Sequence, residues 1–313
     1  MTAAGGMRVA CIGGLNRDVR ARSDGPLERG TSNPGTVLRD TGGVAGNTAR
    51  TLGRLGTGVA IFSLVGEDAL GATITAGLRH DGVDTSHLRV TTDASTSTYV
   101  ALLDEEGELV GAVADMSAMD QANTTWIAQI VENLAAFDAW AVDANLPATT
   151  LDLLLAGRQL EPLVLVDPVS PAKAVRIQHL LPEIDVLTPD RLEAAALTGR
   201  NIEGPADALA AAAALVDAGT ATVLLKLGSD GLVVADATGT THLAAIPPRR
   251  VVDVTGAGDA LAAGYLFGIS IGAHHPERWG LAAASLTVES SRSVAESLSV
   301  NALRQRMGTD AGG

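Results

Sequence analysis

Short apolar segments recur along the chain and constrain its fold more than any other feature. Most end at Gly, Pro or Asp, and the six are MRVACIGG (7–14), VAIFSLVG (59–66), FDAWAVDA (137–144), LVLVDP (163–168), IDVLTP (184–189) and TVLLKLG (222–228). Such near-continuous apolar runs are typical of parallel strands buried on both faces. Ala- and Leu-rich stretches with helical periodicity, such as ADALAAAAALVDAG (206–219), lie between them. This alternation predicts an α/β fold, a doubly wound and mostly parallel sheet flanked by helices.

Two stretches interrupt the alternation. Residues 15–41 are polar and rich in turn formers, and residues 97–116 suggest two strands joined by a turn at Glu106-Gly107. We expect both to stand off the main sheet as a small β lid. The chain is thus predicted to be a single domain, residues 1–313, with lid segments at about 15–41 and 97–116. Its last residues, TDAGG (309–313), are expected to fray.

The charge balance restricts the partners of the chain. It has 22 basic and 36 acidic residues, a formal net charge of −14, which repels phosphate backbones and anionic lipid headgroups. We therefore expect neither nucleic acid nor a membrane surface as a partner. Cys11 is the only cysteine, which excludes an intrachain disulfide. Because no apolar run approaches the roughly 20 residues of a spanning helix and no signal-peptide pattern is seen, the sequence predicts a cytoplasmic protein.

The segment VVDVTGAGDALAAGY (251–265) combines a turn of small residues with an acid. Gly256, Ala257 and Gly258 precede Asp259 and a run of helix formers. A helix N-terminus carries free N–H groups and about half a positive charge, so a turn without bulky side chains lets a phosphate approach the backbone. Asp259 is then a candidate general base for a hydroxyl that attacks the γ-phosphate of ATP. The alternative is ordinary helix N-capping, which the small triplet makes less favourable.

A second glycine-rich segment, TGGVAGNTARTLGRLG (41–56), places Asn47 at the start of a predicted helix. Its amide could cap the helix or hydrogen-bond a ligand hydroxyl. No Gly-Lys-Ser/Thr follows, so the P-loop pattern is missing, and the spacing also fails the dinucleotide-binding G-x-G-x-x-G. The segment therefore indicates close backbone approach without either of these nucleotide motifs.

Together these segments resemble the two signatures of the ribokinase (PfkB) family of carbohydrate and nucleoside kinases, as G-G-V-A-G-N at 42–47 and D-V-T-G-A-G-D at 253–259. The resemblance covers nearly the whole chain. It implies a ribokinase-like fold and transfer of the ATP γ-phosphoryl group to a sugar CH₂OH, with Mg²⁺ and, in many members, K⁺. By motif, Asp259 would be the base and 256–258 the anion hole. The residues that would hold the sugar hydroxyls are Asn16, Asp18, Gly42, Gly43 and Asn47.

The resemblance also implies a nucleotide side. KLGSDG (226–231) resembles the family's strand and turn near ATP, with Gly228 and Gly231 at the nucleotide and Lys226 either at its phosphates or on the surface. The N-x-x-E element, which acts around Mg²⁺ and phosphate, appears as Asp190-Arg191-Leu192-Glu193. Because Asp replaces the usual Asn, Glu193 carries over better than Asp190, whose alternative is a solvated helix start. Hard oxygen ligands suit a hydrated Mg²⁺ near Glu193.

A monovalent cation site is implied as well. Asp253 and Thr255 match positions that help to bind the cation in K⁺-activated members of the family. The remaining ligands would lie in ESSRSV (289–294), for which the resemblance gives no secure alignment.

Four stretches resemble elements of the pseudouridine kinases of this family, namely TSNPG (31–35), AVADM (112–116), DPVSPAK (167–173) and SLTVES (285–290). We expect Thr31, Ser32 and Asn33 to offer donors and acceptors to a base, although TSNPG alone is also ordinary turn chemistry. Lys173 would lie beyond the C-terminal end of a sheet strand, where it could face a phosphate of the nucleotide or begin a surface helix.

The leading hypothesis is an ATP-dependent kinase of pseudouridine that forms pseudouridine 5′-phosphate. The alternative within enzymes is a ribokinase-family kinase acting on another nucleoside, on ribose or on a related sugar. A ligand sensor without turnover is a third hypothesis, which the intact Asp259 disfavours because a sensor needs no base. The resemblance further implies a homodimer through the lid, whose exposed strand edges would invite pairing.

Overall fold

The computed structural model describes residues 6–157 and 161–308, so the predicted fraying end, 309–313, lies outside the described residues. The strands are β1 (Arg8–Ile12), β2 (Asn16–Ser23), β3 (Gly35–Gly42), β4 (Gly58–Phe62), β5 (Leu64–Gly66), β6 (Arg89–Thr91), β7 (Thr98–Leu103), β8 (Leu109–Asp115), β9 (Ala139–Asp143), β10 (Leu163–Asp167), β11 (Val186–Leu187), β12 (Thr222–Lys226), β13 (Leu232–Asp236) and β14 (Gly239–Leu243). The helices are α1 (Val44–Arg54), α2 (Ala69–His80), α3 (Thr124–Leu134), α4 (Ala148–Leu155), α5 (Pro171–Ala174), α6 (Arg191–Thr198), α7 (Pro205–Asp217), α8 (Ala257–Ser270), α9 (Pro276–Thr287) and α10 (Val300–Met307). Short 3₁₀ segments occupy Met119–Gln121, Val175–Glu183 and Gly228–Asp230.

The main sheet has eight strands in the order β14-β13-β12-β11-β10-β9-β1-β4. The six predicted apolar segments supply the parallel part, β12 to β4, and the predicted α/β fold class is confirmed. The antiparallel strands β13 and β14, which complete the sheet beyond β12, were not predicted. The segment 59–66 is also not one strand, because the chain leaves the main sheet at Ser63 and its second half pairs with β6 in a separate two-stranded sheet.

Hydrophobic cores lie on both faces of the main sheet. Along β1, Val9 and Cys11 belong to one core, while Ala10 and Ile12 belong to the other. This alternation follows from the two-residue period of a strand, and it explains why the predicted strands lack polar positions. One core receives α3, α4, α6 and α7, and the other receives α1, α2, α8, α9 and α10.

Close packing of α8 against α9 fixes the helix that carries Asp259. A methyl group added at Gly264 would lie 2.6 Å from the Trp279 carbonyl oxygen, and one at Gly280 would lie 2.7 Å from that of Leu261. Both glycines are therefore required where the two helix backbones meet. The contact holds the N-terminus of α8 at the C-terminal edge of the sheet.

The two predicted lid segments fold together into one four-stranded sheet, ordered β3-β2-β7-β8, which we call the small sheet. β2 pairs antiparallel with β3 and parallel with β7, and β7 and β8 form the expected hairpin around Glu106-Gly107. In that turn the Asp104 carboxylate accepts hydrogen bonds from the N–H groups of Glu106 and Glu108. None of the helices in the described ranges is long and apolar enough to cross a membrane.

Candidate active site

The parallel strands end at one edge of the main sheet, and two of them end in a buried aspartate. Asp143 closes β9 and Asp167 closes β10. Asp143 Oδ2 accepts hydrogen bonds from the N–H groups of Gly14 at 2.8 Å and Ala45 at 2.9 Å. A single carboxylate thus joins the glycine-rich turn after β1 to the start of α1, which brings two distant sequence segments to one place.

Asp259 lies in the first turn of α8, beside the other glycine-rich signature. Asn47 Nδ2 donates to Asp259 Oδ2 at 2.8 Å, although 212 residues separate them. Burial raises the pKa of Asp259 to about 7, with further repulsion from Asp167 and Asp143 and opposing contributions from Asn47 and Lys226. A carboxylate with this pKa exchanges its proton near neutral pH, as a general base requires.

Before Asp259, the turn of Gly256, Ala257 and Gly258 exposes backbone rather than side chains. Gly256 has φ of 80° and precedes the helix as its N-cap, so a residue other than glycine would be strained there. A methyl group on Gly256 would also overlap the Ser293 carbonyl oxygen. The Ala257 N–H donates to the Val254 carbonyl at 3.2 Å, so the turn folds back on itself before the helix begins.

One cavity opens on the side of Asp259 that faces the small sheet. It has a volume of about 320 Å³, and we call it the acceptor cavity. Its walls include predicted sugar-binding residues, Asn16, Asp18, Gly43 and Asn47, together with Asp259. Gly42 lies just outside this set, and its Cα faces the Asp18 carboxylate so closely that a methyl group would overlap it. Asn16 Nδ2 donates to Asp18 Oδ1 at 2.6 Å, and burial raises the pKa of Asp18.

A second cavity of about 260 Å³ lies on the opposite side of the α8 N-terminus, and we call it the nucleotide cavity. Gly228 and Gly231, which the family resemblance puts at the nucleotide, line it together with Lys226 and Gly258. The rest of the wall is mostly apolar and comes from the loop after β14 and from α8 and α9: Ala245, Ile246, Pro248, Val251, Val254, Leu261, Leu281, Ala284 and Val288. A flat aromatic base fits such a wall better than a charged group does.

Lys226 lines the nucleotide cavity next to the turn of residues 256–258. A methyl group at Gly258 would lie 3.2 Å from Lys226 Nζ, which places the ammonium at the anion-hole turn. Lys226 Nζ donates to Asp167 Oδ2 at 2.8 Å, and Thr188 Oγ1 donates to the same oxygen at 3.0 Å. Burial lowers the pKa of Lys226, but Asp167 and Glu193 outweigh it, so the net shift is upward and the ammonium keeps its charge.

Comparison with known proteins agrees with this arrangement. A family model described as pfkB family carbohydrate kinase matches residues 7–299. The chain belongs to the pfkB family. This kinase is 34% identical to the pseudouridine kinase of Escherichia coli (strain K12) over 256 residues, which is 82% of each chain.

Solved structures show the same fold. A carbohydrate kinase from Agrobacterium tumefaciens is 33% identical, with a TM-score of 0.82 over 96% of this chain and 97% of that one. Ribokinase of Arabidopsis thaliana, complexed with ribose and ATP, has a TM-score of 0.83 at 23% identity over 97% and 99% of the two chains. The chain is therefore a ribokinase-like, ATP-dependent kinase of sugars or nucleosides.

Asp190 and Glu193 form a capping box at the start of α6 in this kinase. Asp190 Oδ1 accepts from the Glu193 N–H and Glu193 Oε2 accepts from the Asp190 N–H, both at 2.8 Å. Asp190 therefore takes the helix-start role that the sequence left open. Burial raises the pKa of Glu193 to about 7, with Lys226 opposing and Asp167 adding to the shift.

The residues around Glu193 fit a hydrated Mg²⁺ rather than a directly bound one. No group of three or more His, Cys, Asp or Glu in the described part of the chain is arranged to hold a metal. A buried carboxylate whose ionisation is suppressed gains from a nearby cation, and Mg²⁺ commonly keeps several waters while it binds nucleotide phosphates. Glu193 would hold such an ion through water, and the ion would neutralise charge on the phosphates.

Three sets of predicted residues lie elsewhere than expected in the kinase. Thr31, Ser32 and Asn33 are outside the walls of the acceptor cavity and largely exposed in the loop between β2 and β3. The Asn33 amide bonds its own loop, accepting from the Glu28 N–H at 2.8 Å and donating to the Glu28 carbonyl at 3.0 Å. The structure therefore does not bring these three residues to the acceptor cavity, and the Asn33 amide is taken up by backbone groups of its own loop.

Lys173 is the second correction. It lines the acceptor cavity and not the nucleotide cavity, because β10 ends beside β9 and Lys173 Nζ donates to Asn145 Oδ1 at 2.6 Å. Burial lowers the pKa of Lys173, although Asp143 opposes the shift. The only two lysines of the chain thus serve different cavities, Lys226 beside the nucleotide and Lys173 beside the acceptor.

The third correction concerns Asp253, the proposed ligand of a monovalent cation. Its carboxylate forms an ion pair with Arg20 of β2, and its other oxygen accepts from the Thr255 N–H at 2.8 Å. Asp253 is therefore bound both to the Thr255 N–H and to an arginine, and with both oxygens engaged it does not fit a cation ligand in this chain.

Several residues of the acceptor cavity were not predicted. Asn145, Arg176 and Asp120 add polar groups beyond the sugar-binding set, and Val169 adds a wall with φ of 69°. Val169 is the one residue other than glycine with positive φ in the described ranges, a costly conformation that clusters at functional sites. The sequence positions of Asn145 and Val169 could have indicated the site, since each lies two residues after an aspartate that ends a buried strand.

Proposed function

We propose that this kinase transfers the γ-phosphoryl group of ATP to the 5′-hydroxyl of pseudouridine. The observation that carries the proposal is the polar continuation of the acceptor cavity. Beyond Asn16, Asp18 and Asn47, which suit the hydroxyls of a ribose, the wall continues with Asp120, Asn145, Lys173 and Arg176. Lys173 already donates to Asn145, and Arg176 donates to two backbone carbonyls. Ribose alone would leave this polar part of the wall without a contact to the acceptor, whereas a nucleoside base would reach it.

The base explains why both donors and acceptors are useful there. Pseudouridine is joined to ribose through carbon, so its ring keeps two N–H donors beside two carbonyl acceptors, whereas uridine has one N–H. Lys173 and Arg176 offer donors to the carbonyls, and Asp120 offers an acceptor to an N–H. A site that binds both N–H groups would favour pseudouridine over uridine, since uridine lacks the second N–H and would lose this hydrogen bond to Asp120. The similarity to the E. coli pseudouridine kinase supports the same substrate.

The proposed reaction divides among residues that lie between the cavities. The 5′-hydroxyl oxygen forms the bond to Pγ as the bond from Pγ to the bridging oxygen of ADP breaks, and Asp259 takes the hydroxyl proton. The N-terminus of α8 at Gly258 and the Lys226 ammonium face the charge on the transferred group. Asn47 holds the Asp259 carboxylate in place through its amide. Mg²⁺, when bound, lowers the negative charge on the phosphates.

A coupled ADP-release assay across acceptors tests the proposal. We expect kcat/KM for pseudouridine to exceed the values for uridine, adenosine and ribose by roughly tenfold or more, because a hydrogen bond to a charged group contributes about 1.5–3 kcal/mol. Equal or better turnover of ribose or of another nucleoside would contradict the choice of pseudouridine. It would then favour the alternative, a ribokinase-family kinase with a different acceptor.

We further propose that the kinase forms a homodimer through the small sheet. The face of this sheet that points away from the acceptor cavity exposes Val37, Val100, Leu102 and Val113, and Val113 is 71% exposed. Register places these residues opposite one another across β3, β7 and β8 with Val19 and Ala21 of β2 between them. A contiguous exposed apolar patch of this kind marks an association surface. In the proposed dimer, a second copy of the chain packs against this patch, as the family resemblance implied.

A further inference from the structure

Arg20 of the small sheet joins the two loops that support the anion-hole turn. Its Nη1 forms an ion pair with Asp253, and its Nη2 donates to the Ser291 carbonyl at 2.8 Å. The side chains of Arg20 and Asp253 are 15% and 23% exposed, so water is largely excluded from the pair. One guanidinium thus contacts both the Asp253 carboxylate and a carbonyl of the segment 289–294.

These acceptors are the type that a monovalent cation uses. A carboxylate and a backbone carbonyl from two neighbouring loops offer hard oxygen ligands. The family resemblance matched Asp253 and Thr255 to cation-binding positions of K⁺-activated members, and it implied further ligands in 289–294 without a secure alignment. In this chain the Arg20 side chain supplies the positive charge at these oxygens. A guanidinium is always protonated, and its planar fork can reach two acceptors at fixed angles, so it is a stable substitute for an ion.

The anion-hole turn depends on this junction. Asp253 Oδ1 accepts from the Thr255 N–H, and the next residue, Gly256, packs against the Ser293 carbonyl so closely that no methyl group fits. The Ser293 N–H in turn donates to Asp40 Oδ2 of β3 at 2.9 Å. Without a positive charge at Arg20, Asp253 would place an unpaired carboxylate beside the turn that receives a phosphate, and the two loops would lose their common partner.

We propose that the Arg20 guanidinium replaces the monovalent cation, so that phosphoryl transfer by this kinase needs no K⁺. Arg20 is a positioning residue, since it acts on the anion hole through Asp253 and Ser291. Arg20 lies on the same face of β2 as Asp18, two residues before it, and Asn16, four residues before it, because side chains alternate along a strand. The strand that lines the acceptor cavity therefore also fixes the loops on the phosphate side.

The test compares the full-length protein in potassium chloride and in tetramethylammonium chloride at equal ionic strength. For the wild type we expect the same kcat and the same unfolding temperature in both salts. For Arg20→Ala we expect kcat to fall roughly tenfold or more in tetramethylammonium, to recover in potassium, and the unfolding temperature to rise specifically with K⁺. Thallium, which resembles K⁺ in size, should rescue the variant in the same way.

Arg22→Ala is the matched control. Arg22 is the next residue on the same face of β2, but its guanidinium donates to the Glu105 carbonyl, so its removal should create no dependence on K⁺. A wild type that K⁺ activates several-fold or stabilises would overturn the proposal, as would an Arg20→Ala variant that loses kcat and is not rescued. If Arg20→Ala fails to fold, the wild-type comparison and Arg20→Gln decide the question.

This inference rests on kinase activity and not on the identity of the acceptor. The salt comparison is made with whichever acceptor the selectivity assay identifies, and the unfolding measurement needs no acceptor. Failure of pseudouridine as a substrate therefore leaves the cation test intact, and activation of the wild type by K⁺ leaves the acceptor assignment intact.

Discussion

The two cavities beside the N-terminus of α8 are built in different ways. The nucleotide cavity is walled by glycines and small apolar side chains from a few adjacent elements, with Lys226 as its one charged wall residue. The acceptor cavity collects polar and charged side chains from the small sheet, α1, the ends of β9 and β10, and the segment after β8. The first binds by shape and backbone, so it can be rigid, whereas the second depends on side chains, so it can discriminate among acceptors.

The largest effect should come from the acid in the first turn of α8, which lines the acceptor cavity. Asp259→Asn removes the base but keeps the size of the side chain, so we expect kcat to fall by about 10²- to 10⁴-fold. Acceptor and nucleotide affinities should change little, because neither cavity loses a wall. Single-turnover assays and isothermal titration of each ligand measure these quantities. If the variant kept normal turnover, Asp259 would be only a structural acid of α8.

The pH dependence should report the same carboxylate. Because burial raises the pKa of Asp259 to about 7, its ionised and active form is lost as pH falls through that value. We therefore expect kcat/KM to decline about tenfold per pH unit below roughly pH 7 and to level off above it. Glu193, whose pKa also lies near 7, provides the control. Glu193→Gln should keep this acidic limb, and its loss in that variant would assign the titration to the Mg²⁺ side.

A pair of substitutions should separate the two cavities. Lys173→Met removes a charged donor from the acceptor cavity, and we expect a roughly tenfold higher acceptor KM with little change in the KM for ATP. Ala284→Leu extends a side chain into the apolar nucleotide cavity, and we expect the reverse pattern at a similar magnitude. Steady-state kinetics with each substrate varied in turn measure both. Equal effects of one substitution on both KM values would show that the cavities are coupled.

Sequence reasoning succeeded where a local pattern carries the information. Buried strands appear as apolar runs, so the parallel part of the sheet was predictable, and the two signature segments indicated a shared site. In the structure Asn47 Nδ2 donates to Asp259 Oδ2 at 2.8 Å, so the two segments do lie at one site. The small residues before Asp259 also carried information, because a glycine-rich turn at a helix start is typical of a site that binds an anion.

The site features that the sequence did not predict depend on the order of the strands in the sheet and on contacts between distant residues. Asp143 looks like any acid at the end of a strand, and its role arises from the neighbours that strand order gives it. Lys173 was assigned to the nucleotide for the same reason, since nothing local reveals that β10 ends beside Asn145. Arg20 contacts a carbonyl 271 residues away, and no periodicity predicts such a pair. The prediction for TSNPG differs from these, because the Asn33 amide bonds the backbone of its own loop and not the acceptor cavity.

The smallest kinetic effect is expected from the outer face of the small sheet, which lines neither cavity. Val113→Glu places a charge in the exposed apolar patch, so the proposed dimer should dissociate, and light scattering after gel filtration should give the mass of one chain. The KM for ATP should stay within about twofold, because the nucleotide cavity is formed by the main sheet and its helices. Leu153→Glu on α4, 56% exposed, is the matched control and should leave the mass unchanged. A wild-type protein that is already monomeric would refute the dimer, and a Val113→Glu monomer with a raised acceptor KM would show that the partner copy supports the acceptor cavity alone.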